Sequence, residues 1–119
     1  MKKTIVLGAS PNPSRYSNRA VKRLLSNGFE PVAIGIRKGE IEGIEILTDT
    51  PFVKNVHTIT LYLNPERQKP HYNYILDLKP ERIIFNPGTE NPELMRLASD
   101  QGIEVEAACT LVLLAVGEY

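Results

Sequence analysis

Residues 4–17 read TIVLGASPNPSRYS, and the parsing of this stretch decides the fold. Thr4, Ile5, Val6 and Leu7 are β-branched or apolar without a break, as in a strand buried on both faces. Gly8 ends that run. Ser, Pro and Asn then dominate up to Ser17, where a helix is expected to start. A strand that breaks at a glycine and feeds a polar loop into a helix N-terminus makes an anion site. The first-turn N–H groups have no intrahelical partners there, and the helix dipole is positive at that end. The expected occupant is the phosphate group of a nucleotide-like ligand, held between Gly8, Ala9, Ser10, Asn12, Pro13 and Arg15 on the loop and Ser17 and Asn18 on the helix.

Outward from the loop, residues 17–27 alternate as an amphipathic helix, with Ala20, Val21, Leu24 and Leu25 on one face and Arg19, Lys22 and Arg23 on the other. Ser17 suits the N-cap, Tyr16 and Val21 a hydrophobic staple, and Gly28 the C′ position. A second strand follows at 31–36, and because a helix intervenes the two strands are parallel. Residues 37–50 read as an irregular exposed connection with a turn at Arg37-Lys38-Gly39. A third strand at 58–63 leads into Asn64-Pro65-Glu66, a cap, a first-turn proline and an acid in helix-start order. Pro70 breaks that helix, which resumes over 71–78. A fourth strand at 82–85 precedes the turn Asn86-Pro87-Gly88-Thr89, and Asn91-Pro92-Glu93 repeats the helix start. That helix ends at Gly102, a fifth strand covers 103–106, and 109–116 fits a strand or a helix and is taken as a short helix.

Strands alternating with helices at this pace give an α/β, Rossmann-like three-layer sandwich around a five-stranded, mostly parallel sheet of order 3-2-1-4-5. In such a sheet, ligands bind beyond the carboxyl ends of the strands, at the switch point between strands one and four. Gly8–Ser17, Ile36 to Lys38, Leu63, Asn64 and Pro65, and Asn86 and Gly88 then share one rim. Each piece has a plainer reading, as a capped turn or a solvated charge pair. Their convergence on one rim gives the functional reading its weight.

Composition narrows the partners. The 119 residues suit one domain spanning 1–119, and fourteen basic residues balance fourteen acidic ones. No global field therefore favours nucleic acid or an anionic membrane, and an anion site must be local. One cysteine and two histidines give neither an internal disulfide nor a zinc pattern. The start MKKTIVLGAS has too short an apolar part for a signal peptide, and the longest apolar run, residues 111–116, is far too short to span a bilayer. A cytoplasmic protein is expected.

The loop also discriminates among nucleotides. A dinucleotide fingerprint needs three glycines; here Gly8 supplies the first, but Ser10 and Pro13 stand at the second and third. NAD sites also want an acid after strand two, where this chain has Gly35-Ile36-Arg37-Lys38. A cation pair suits a phosphorylated ribose, which favours coenzyme A or NADP over NAD.

The segments Gly8-Ala9-Ser10-Pro11-Asn12-Pro13-Ser14-Arg15-Tyr16-Ser17-Asn18, Ile41-Glu42-Gly43 and Asn86-Pro87-Gly88-Thr89-Glu90-Asn91, with Cys109 after the last strand, resemble the small stand-alone CoA-binding domain family over essentially the whole chain. The family's fold is similar to the N-terminal domain of the succinyl-CoA synthetase alpha subunit. The resemblance implies that Gly8, Ser10, Asn12, Arg15, Ser17 and Asn18 surround the phosphates of coenzyme A or an acyl-CoA, and that Ile36, Arg37 and Lys38 border its adenosine end. It also implies a proline-bearing pair after strand two, where this chain has Gly35-Ile36.

No catalytic constellation is visible. Cys109 is the single nucleophile candidate and most free cysteines are inert; Glu90, Asp49, His57 and His71 have no sequence neighbours that would tune them. The expected function is a non-catalytic CoA-binding, carrier or sensor module, with a protein partner or homodimer open. An NADP-binding redox protein and a ligand-free interaction surface are the alternatives.

Overall fold

The computed structural model describes residues 2–119. The chain runs β1 (Lys3–Leu7), α1 (Tyr16–Ser26), β2 (Glu30–Ile34), β3 (Glu40–Ile41), β4 (Ile44–Leu47) and β5 (Thr58–Leu61). It continues through α2 (Pro65–Gln68), a 3-10 turn (Lys69–His71), α3 (Tyr72–Asp77), β6 (Arg82–Phe85), α4 (Pro92–Asp100), β7 (Glu104–Ala107) and α5 (Thr110–Ala115). The α/β, mostly parallel, Rossmann-like architecture is as expected, and so are the break at Pro70 and the C-terminal helix.

Strand number and order are not as expected. The sheet has seven strands in the order β3-β4-β2-β1-β5-β6-β7. The segment read as an irregular connection contributes two of them. Ile41 and Ile44 pair across a two-residue turn in which Glu42 and Gly43 both have positive φ (50° and 83°), the geometry of a type I′ hairpin. β4 then runs parallel to β2, Ala33 against Ile46 and Ile34 against Leu47. The strand at Thr58–Leu61 pairs with β1 and not with β2's far side (Thr4↔Thr58 through Leu7↔Leu61). The order 3-2-1-4-5 therefore fails because β4 holds the third place. With antiparallel β3 set aside, the parallel strands in chain order lie 3-2-1-4-5-6, and the switch point falls between β1 and β5.

Strand alternation divides the core into two layers. Ile5, Leu7, Ile59, Leu61, Ile83 and Phe85 pack against Ile75 and Leu76 of α3 and Leu94 and Ala98 of α4. Val6, Ala33 and Ile46 face Val21 and Leu24 of α1 and Leu114 of α5. The second face also carries a buried polar row. Thr4 bonds the Tyr119 hydroxyl, Thr58 accepts from Arg82 Nε (3.1 Å), and Thr60 shares a hydrogen bond with Thr110 (2.7 Å). Arg82 is buried, with its guanidinium over the Tyr119 ring (4.6 Å) and Nη1 3.6 Å from a Glu106 carboxylate oxygen, so the cation has an aromatic face and a partial ion pair.

Candidate functional site

The carboxyl ends of β1, β2 and β5 are tied together by backbone. Gly8 and Ala9 N–H both donate to the Ile34 carbonyl (2.9 Å each), and Tyr62 N–H donates to the Leu7 carbonyl (2.9 Å). Gly8 has φ +102°, and a Cβ there would sit 3.0 Å from the Tyr62 carbonyl carbon and 3.2 Å from Leu63 Cδ2. Only glycine lets the chain cross the sheet edge so closely. At Gly35 a Cβ would lie 2.1 Å from the Ala9 carbonyl oxygen, so the residue after β2 is small to admit the first loop. The family-implied proline-bearing pair would not fit here in this backbone.

Beyond Ala9 the loop is built from its own side chains. Ser10 Oγ accepts from Asn12 N–H (3.1 Å), and Asn12 Oδ1 accepts from Ser14 N–H (3.0 Å) and Ser14 Oγ (2.8 Å). The buried Asn18 donates from Nδ2 to the Ser10 carbonyl (3.0 Å), anchoring the loop on α1, while its Oδ1 is buried and unpartnered. Pro11 meets the loop after β2, where a Cβ on Gly39 would be 2.9 Å from Pro11 Cβ.

Helix α1 begins one residue before the expected cap. Arg15 is its N-cap and makes no side-chain capping bond, and no acid occupies the first turn. Ser17 is buried inside the first turn, and Tyr16 is 66% exposed with Arg19 above its ring (5.5 Å), so neither the Ser17 cap nor the staple forms. The reason is local: the Asn12–Ser14 bonds and an Asn12 carbonyl that accepts Arg15 N–H (3.1 Å) already turn the chain into the helix. The contrast with α2 and α4 is informative. Asn64 Oδ1 accepts from Arg67 N–H (2.9 Å) and Asn91 Oδ1 from Leu94 N–H (3.2 Å), with Glu66 and Glu93 in their first turns. Those two ends are neutralised by the chain, whereas α1 keeps a positive, open end beside Arg15.

The other expected residues divide. Ile36, Arg37 and Lys38 are exposed on the loop after β2, with Ile36 84% exposed. Leu63 lies against Gly8 at the switch point, but the Asn64 side chain and Pro65 are committed to starting α2. Asn86 is wholly engaged in holding the rim: Nδ2 donates to Thr60 Oγ1 (2.7 Å) and the Leu61 carbonyl (2.8 Å), and Oδ1 accepts from Thr110 N–H (2.8 Å). Gly88 is exposed on its turn, with its N–H on Glu90 (2.8 Å). Gln68, which sequence reading missed, is a second strut. It is fully buried, donates to the Leu63 and Thr89 carbonyls (2.8 Å each) and accepts from Asn91 (2.9 Å). Nothing in the sequence marks it, since a glutamine in a helix start is usually solvated.

Cys109 is half-buried at the N-cap of α5 and makes no side-chain capping bond. Near it, burial pushes the Tyr62 phenol up to about 12, so the hydroxyl stays neutral at ordinary pH. Among the described residues no group of His, Cys, Asp and Glu forms a metal site, and no helix is long and apolar enough to cross a membrane. Two surface grooves, about 550 and 360 Å³, flank α1 on faces away from the loop.

Comparison with known proteins places this geometry. A family model described as a CoA binding domain matches residues 2–115. No curated protein matches. A crystal structure of an uncharacterized protein is 50% identical, with 100% of this chain and 98% of that one covered and a TM-score of 0.98. A conserved hypothetical protein from Pyrococcus furiosus is 29% identical (94% and 98% covered, TM-score 0.82). A Thermus thermophilus protein at 22% identity (99% and 90% covered, TM-score 0.86) shares the fold.

Proposed function

The chain belongs to the CoA binding domain family, and on that premise we propose that it binds coenzyme A or an acyl-CoA on the shelf formed by the loops after β1 and β2. The observation that carries the reading is the N-terminus of α1. The chain caps and neutralises α2 and α4 but leaves α1 open, acid-free and next to Arg15. An anionic group is what that end lacks. The residues that would hold the phosphates are Gly8, Ala9, Ser10, Asn12, Pro13, Arg15, Ser17 and Asn18, with Gly8 and Gly35 giving the backbone its close approach. Arg37 and Lys38 would take the phosphorylated ribose, with the exposed Ile36 offering an apolar surface to the adenosine. Asn86, Gln68 and Asn64 support the rim.

The protein is read as a binding, carrier or sensor module. Asn86 Oδ1 already accepts from the Thr110 N–H at the start of α5, next to Cys109 in sequence, so that amide is committed to holding the rim. A thermal-shift series with CoA, acetyl-CoA, NADP and NAD tests the assignment. Stabilisation by the CoA species alone supports it; stabilisation by NADP selects a redox protein, and stabilisation by none selects an interaction surface.

A further inference from the structure

We propose that the groove between α1 and α5 docks an acidic, amphipathic helix of a partner protein. The groove, about 360 Å³, is walled by Arg19, Lys22 and Arg23 of α1 and floored by Leu111, Val112 and Ala115 of α5. Arg19 and Arg23 are exposed, and among the described residues no carboxylate lies within ion-pairing distance of any of the three. Helix α1 contains no Asp or Glu, although the chain as a whole has fourteen of each sign, so the helix presents only cations; Glu42 lines the neighbouring groove with Lys22 and Arg23, not this one. Beside them Val112 of α5 is 57% exposed, and Val116, which caps the C-terminal end of that helix one turn on, is 62% exposed.

The occupant follows from charge and shape. Cations at Arg19, Lys22 and Arg23, spaced three and four residues along one helix, match carboxylates at the same spacing on a facing helix. The apolar floor asks that helix for an apolar stripe between its acids. A second copy seated about a two-fold axis would set cations against cations. A bilayer is flat, whereas these residues line a concavity. None of them belongs to the proposed CoA shelf, so the two readings stand or fall separately.

The test uses the full chain and a fluorescein-labelled synthetic helix of Glu, Leu and Ala in an amphipathic pattern. Its controls are the same pattern in Lys, a scrambled acidic peptide, and phosphatidylglycerol vesicles. Saturable anisotropy change with the patterned acidic peptide is expected, weakened about tenfold by Lys22→Glu with Arg23→Glu and, separately, by Val112→Asp. The circular dichroism spectrum and urea midpoint of both variants should match the wild type, which shows that they fold whether or not CoA binds. Absence of saturable binding, equal binding of the scrambled or Lys peptide, or insensitivity to the substitutions overturns the proposal. So does capture by vesicles in place of the peptide, or a homodimer that dissociates on these substitutions in analytical ultracentrifugation.

Discussion

Gly35 and Asn86 do for this rim what no liganding side chain does, in opposite ways. Gly35 leaves out a methyl group that would stand 2.1 Å from the Ala9 carbonyl oxygen. Gly35→Ala must displace the first loop, and a loss of about 1–3 kcal/mol is expected by urea denaturation, together with weaker CoA binding. Asn86 fills its place completely, with both amide hydrogens and its oxygen bonded across β5 and α5. Asn86→Ala leaves the Thr110 N–H and the Leu61 carbonyl without these partners, at a cost of about 1–3 kcal/mol on the same measurement. His57 gives the pH dependence. Desolvation holds its pKa below the usual histidine value, with Lys2 and Arg82 acting in the same direction and Glu81 and Glu104 opposing. The folded state therefore favours the neutral ring. Its contribution is present above about pH 6.5 and is lost as pH falls through the lowered folded value. The urea midpoint should fall over that window more in the wild type than in His57→Gln.

At the scale of the element, the first strand, the loop and the helices were legible because their signals are local. An unbroken apolar run, a glycine and two Asn-Pro-Glu starts each carry their own chemistry, and Asn64 and Asn91 cap where they were read to cap. The hairpin of β3 and β4 was illegible for an equally physical reason. Its turn is Glu42-Gly43 and not Asn-Gly or Asp-Gly, and its strands are two and four residues long, so neither turn nor periodicity declares it. Nor does sequence show that a helix start has no cap, because the Ser17 hydroxyl that looked available lies inside the first turn and not before it. The open end of α1 gives this scale its prediction. Arg15→Ala should weaken CoA binding about three- to tenfold in calorimetry, with the loss shrinking as salt is raised. Unchanged affinity would detach the α1 end from the ligand.

For the whole molecule, a single extra parallel strand explains why the fold class was readable and the strand order was not. With β4 in third place the expected pattern reappears one strand larger, and the switch point shifts to the gap between β1 and β5, which brings Leu63 against Gly8. On the proposed reading the loops after β1 and β2 would meet the ligand, while the segments after β5 and β6 brace the rim through Gln68 and Asn86. That division between contact and support depends on register, which no single stretch of the chain reveals. It also sets an expectation for the ligand: if Arg37 and Lys38 receive the ribose phosphate, dephospho-CoA should bind about tenfold more weakly than CoA, and equal affinities would remove that pair from the site. The most direct test of the central claim is a titration of the nitrogen-15-labelled protein with CoA, followed amide by amide. The largest chemical-shift changes are expected at residues 8–18 and 36–38, with little change in the α1–α5 groove. Shifts confined to the groove, or none at saturating CoA, would contradict that claim.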